Sequence, residues 1–107
     1  MLELALRNTF TPELVVRKMC HAPAELFRVR QRGYIRKGYY ADLVLIDPSA
    51  EWTVDASQVE SKCGWSPFEG TTFHHQVVKT WVNGELVYAD GKVNGDIRGQ
   101  RLLFDPF

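Results

Sequence analysis

Residues 75–92 read HQVVKTWVNGELVYADGK, and this stretch decides the fold. Polar and apolar positions alternate on both sides of Asn83-Gly84, the dipeptide that best supplies positive φ at both centres of a type I′ turn. The pattern predicts a β-hairpin with Val78, Thr80 and Val82 on one face and Val77, Lys79 and Trp81 on the other. Asp90-Gly91 predicts a second turn. VNGDIRGQ reads as loop, and RLLFDPF as a short terminal strand or tail.

Upstream of the hairpin, KCGWSPFEG (62–70) is too broken for a helix or strand and too apolar for a solvated loop. Something is expected to cover Trp65 and Phe68. Further back, YIRKGYYADLVLIDPSAEWTVD predicts a short strand, a turn at Gly38, a strand from Asp42 to Ile46, and a stop at Asp47-Pro48. LVLI is continuously apolar, which predicts burial on both faces and a central place in a sheet. Trp52 and Val54 alternate with Thr53 and Asp55, as in a half-exposed strand.

The first third has helical patterning. MLELALRN reads as a short helix lacking its beginning. Thr11 predicts an N-cap, with Pro12 at the first helical position and Glu13 at the positive end of the dipole. Pro23 is expected to break or restart that helix, which ends in the basic run RVRQRGYIRKG. That run reads as a solvated turn leading into a strand. Helices first and strands afterwards give an α+β class, with 1–32 helical and 33–107 strand-forming.

A chain of 107 residues, 45% apolar, is one domain's worth of material. Thirteen basic residues balance thirteen acidic ones, so composition offers no electrostatic footprint for nucleic acid or an anionic membrane. No apolar run approaches the ~20 residues of a membrane span, and no signal-peptide pattern opens the chain, so a cytoplasmic setting is expected. Cys20 and Cys63 lack C-x-x-C spacing and read as reduced and inert.

No self-sufficient active site is legible. His21 reads as a packing or capping residue. His74 and His75 are adjacent, and on a strand their side chains point to opposite faces and cannot chelate one metal together. Ser66 lacks a nucleophile elbow, and Cys63 beside Lys62 lacks a histidine partner. Asp42, Asp47, Asp55 and Asp90 flank strands and turns as turn formers, and Glu69 reads as a turn residue before a general base. The catalytic, substrate-binding and metal sets are therefore all read as empty.

HAPAELF, then RGYIRKGYYADLVLID, resembles the segment near the C-terminus of amidohydrolases in which an N/H-x-P-A helix leads into G-x-I-x-x-G-x-x-ADLV-x-x-D. EWTVDASQVESKCGWSPFEG and VVKTWVNGELVYADGKV narrow the resemblance to the cyclic-amide branch, and within it to dihydroorotase. Two positions depart from the pattern: Tyr40, where aspartate is common, and Phe27-Arg28, where a glycine often follows the helix. The resemblance implies a (β/α)8 (TIM) barrel bearing zinc, with a small β-sandwich beside it. It also implies that the H-x-H ligands, the bridging carboxylated lysine, two more histidines and the catalytic aspartate all fall upstream of the matched region. On that view 1–32 is the end of the barrel and 33–107 belongs to the sandwich. KCGWSPFEG would then pack against a missing barrel. The chain is expected to be structural and inactive alone and to self-associate. The alternatives are a free-standing interaction module and a non-catalytic subunit.

Overall fold

The computed structural model describes residues 1–7 and 9–106; Asn8 and Phe107, which the readings of MLELALRN and RLLFDPF include, lie outside the described residues. Helix α1 is Leu2–Leu6. Helix α2, Pro12–Val16, starts as its sequence dictates: Thr11 is extended and its hydroxyl accepts the Leu14 amide at 3.2 Å. It runs without a break into a π-helical turn, Arg17–His21, and then into α3, Ala22–Leu26. Pro23 therefore does not end the helix. A proline inside an α-helix clashes with the carbonyl four residues back, and the widened π turn just ahead of it absorbs that misfit.

Helix α3 closes with the Val29 amide bonded to the Ala24 carbonyl at 2.8 Å and the Arg28 amide to the Glu25 carbonyl at 3.1 Å. This is a Schellman cap, and it places Arg28 at φ 52. Arg28, in the segment where the resembled pattern often has a glycine, thus holds a left-handed conformation.

Six strands follow. β1 (Leu43–Asp47), β4 (Gln76–Val82), β5 (Glu85–Ala89) and β6 (Lys92–Val93) form one antiparallel sheet in the order β1-β4-β5-β6. β2 (Trp52–Thr53) and β3 (Thr72–Phe73) form a separate antiparallel pair. The hairpin turns at Asn83 (φ 53) and Gly84 (φ 81), as two positive φ values in succession require. The β4–β5 register jumps from Thr80↔Tyr88 to Trp81↔Leu86, leaving Val87 as a bulge, and a second jump separates Leu45↔Lys79 from Ile46↔Val77. The architecture is α+β with an antiparallel sheet, as the sequence predicts.

Two further expectations fail. No strand forms at 34–36; there Arg36 lies 4.0 Å over the Tyr34 ring and 5.8 Å from that of Tyr39, and the two rings meet edge-on. β1 is an edge strand in this chain, not a central one, and Val44 is 55% exposed. Continuous apolarity reports that a strand is meant to be covered, whereas its place in the sheet depends on which neighbours are present. The tail pairs with the helix end: Val29 bridges Phe104, and Arg30 meets Asp105 at 3.2 Å.

Little is enclosed. Among the described residues, Ala24 is the one buried apolar side chain and Arg32 the one buried charge. The accessible surface is 8511 Å². A folded monomer of 12.3 kDa exposes about 6,100 Å². The radius of gyration is 15.8 Å, where about 13 Å is usual for this length.

Candidate functional site

The one tightly built region is the junction between helix and sheet. Gly33 has φ +82, and a Cβ placed on it would stand 2.4 Å from the Ala24 Cβ and 2.9 Å from the Cys20 carbonyl oxygen. The APA turn and the following glycine are thus two halves of one close contact. Next to it the Arg32 guanidinium bonds the Asp42 carboxylate, donates to Asn83 Oδ1 at 2.6 Å, and lies 4.2 Å over the Tyr40 ring. Asp42 in turn accepts the Asn83 amide at 2.8 Å. The loop before β1 and the tip of the β4–β5 hairpin are joined through this buried cation. Reading the basic run as solvated is wrong at Arg32, and Tyr40, the departure from the family pattern, serves as its aromatic platform.

A second cluster was not foreseen. His74 and His75 lie in the bend between β3 and β4, not on a strand, so the opposite-face argument does not apply to them. Both rings face Glu3 of α1. His74 Nδ1 is 2.8 Å from Glu3 Oε1, its main-chain N–H donates to Oε2 at 2.9 Å, and its Nε2 is 3.3 Å from Glu51. His75 Nδ1 is buried without a hydrogen-bond partner, 3.9 Å from Glu3 Oε2. The Glu3 carboxyl is held below its usual range, first by the His74 main-chain N–H and then by the His74 ring. Glu3 and Glu51 were missed because 71 and 23 residues separate them from His74, and single acids carry no signal at such range.

These residues do not fit a metal centre. Both ring nitrogens of His74 are already directed at carboxylates, and no group of three or more His, Cys, Asp or Glu among the described residues could hold an ion.

The other residues singled out from sequence lie apart. His21 stacks on Tyr34 at 4.0 Å between ring centroids. The Tyr34 hydroxyl donates to the Glu25 carboxylate, which raises the phenol above its ordinary range. Asp47 accepts the Ser49 amide, and Asp55 caps the short 3₁₀ turn Ala56–Gln58, where bonds from Ser57 lower its pKa. Asp90 occupies a turn at φ 51. Ser66 accepts the Phe68 amide, and the Glu69 amide closes a turn onto the Ser66 carbonyl. The Cys63 thiol is exposed, 3.1 Å from the Ser61 hydroxyl, which holds it below the usual thiol range. In the same loop Trp65 is 61% exposed; Phe68 is 55% exposed and rests one edge on Phe73.

Comparison with known proteins agrees with this geometry. The model of the amidohydrolase family matches residues 1–87. A dihydroorotase of Pyrococcus abyssi is 38% identical over 89 residues, which is 83% of this chain and 22% of that protein. A D-phenylhydantoinase of Escherichia coli is 33% identical over 91% of the chain. Among solved structures, an L-hydantoinase (dihydropyrimidinase) from Arthrobacter aurescens superposes with a TM-score of 0.78 at 35% identity, covering 84% of this chain and 20% of that one. The chain thus spans about a fifth of the length of the relatives it matches. The family resemblance read from the sequence is borne out by these matches, and the chain belongs to the amidohydrolase family.

Proposed function

We propose that the chain acts as the C-terminal part of a dihydroorotase-like cyclic amidohydrolase, the class that interconverts N-carbamoyl-L-aspartate and L-dihydroorotate. In this reading 1–32 supplies the last helices of the barrel and 33–107 supplies strands of the adjoining β-sandwich. KCGWSPFEG seats Trp65 and Phe68 against the barrel wall. One observation carries the reading: among the described residues, a chain with this family match fully buries none of its large apolar side chains and leaves nineteen of them exposed. Such surfaces gain about 25 cal/mol per Å² when a partner covers them. In this reading the chain's part is structural; no group of three or more His, Cys, Asp or Glu among the described residues could hold a metal ion. A reducing cytoplasmic setting accords with two exposed, unpaired cysteines, and no helix among the described residues is long and apolar enough to cross a membrane.

The test is dihydroorotate hydrolysis by the purified chain with zinc supplied. The expected result is no rate above the blank, and measurable turnover overturns the reading. Self-association is a second reading, favoured by the surface excess, which exceeds the roughly 1,600 Å² that a stable dimer buries. Sedimentation equilibrium is expected to give a mass that rises with concentration above 12.3 kDa. A compact monomer at high concentration would exclude it.

A further inference from the structure

The ring of His74 stands between two carboxylates, with Glu3 at Nδ1 and Glu51 at Nε2. A neutral imidazole has one N–H and turns a lone pair toward one of them; the imidazolium donates to both. We propose that Glu3, His74 and Glu51 form a proton-operated clasp that fixes the segment carrying α1 to the β3–β4 connection while the His74 ring holds both protons, and loosens when it loses one. The groups that face His74 are Glu3 from α1 and Glu51, just before β2; His75, next to it in sequence, faces Glu3. The two arms differ in strength. Glu3 is 17% exposed and holds the His74 main chain as well as its ring, whereas Glu51 is 70% exposed and screened by salt.

The signs of the two limbs follow. Because the folded Glu3 carboxyl titrates lower than an unfolded one, its contribution is complete above the ordinary carboxylate range and is lost as pH falls through the lowered value. On the alkaline side the clasp weakens when the imidazolium gives up a proton, since one carboxylate then faces a lone pair. The clasp is therefore strongest between these two events. It concerns contacts inside this chain and is independent of the enzyme reading.

Amide hydrogen exchange on the 107-residue chain tests it, expressed as protection factors so that the intrinsic pH dependence divides out. Protection of the His74 and α1 amides is expected to fall from mildly acid to mildly alkaline pH, while the β4–β5 hairpin stays constant. Glu3→Gln keeps a neutral acceptor for the His74 amide and is expected to make the profile flat. Glu51→Gln is expected to shrink the alkaline fall; being an exposed position, it decides the case if Glu3→Gln also loosens the hairpin. Equal protection at both pH values, no protection of His74 at either, or variants that follow the wild-type profile overturn the clasp.

Discussion

The junction around Arg32 and Gly33 and the loop around Trp65 and Phe68 are both rich in side chains that water disfavours, yet they are treated in opposite ways. At the junction a guanidinium is withdrawn from water and given a carboxylate, an amide oxygen and an aromatic face, and a glycine lets the backbone settle on Ala24. In the loop two large rings remain open to solvent although the backbone beneath them is tied down, with Gly70 bonded to Val54 and Val54 to Thr71. The loop is thus shaped without being covered. The contrast is between a junction that holds this chain to itself and a loop that, in the proposed reading, would meet the barrel wall.

That division can be broken most directly at Gly33. Gly33→Ala must adopt a positive φ and drive a Cβ against Ala24 and the Cys20 carbonyl, so a loss of about 3–4 kcal/mol is expected in urea unfolding, combining strain with overpacking. A loss below about 1 kcal/mol would show that the backbone can yield there and that the junction is not what organises the chain. Arg32→Met keeps much of the volume but strands Asp42 and Asn83, and is expected to cost about 2–3 kcal/mol. Asn83→Ala removes one of those partners and also puts alanine at φ 53, with about 1–2 kcal/mol expected. If the Arg32 and Asn83 losses simply add in the double variant, the two residues are not coupled.

What the sequence made legible follows the range of the forces involved. Asn83-Gly84 dictates its turn through its own φ values, and Thr11-Pro12 dictates a helix start within one turn, so both were readable. The π turn before Pro23 was not, because a proline in a helical pattern reads as a stop unless the chain ahead of it widens. Arg32 read as solvated because its partners stand 10 and 51 residues away. The LVLI run was correctly apolar and wrongly placed: its composition records a need for cover, and this chain supplies a neighbour on one edge alone. Glu3 and His74 meet only through the fold, so their cluster had no local signature at all.

The smallest expected effect belongs to the loop, and there a small number is the informative one. Trp65→Ala removes a ring that is mostly in water already, so the stability of the chain should change by less than about 0.5 kcal/mol. Phe68→Ala should cost somewhat more, because one edge of its ring touches Phe73 at 5.8 Å between centroids. If these rings instead face a partner or a second copy, the same Trp65→Ala change should weaken association measurably by sedimentation while leaving the urea midpoint in place. A loss of several kcal/mol on Trp65→Ala in a monomeric chain would mean that the ring is packed inside the protein in solution. The distinction between a junction that stabilises and a loop that waits would then fail at its weaker end.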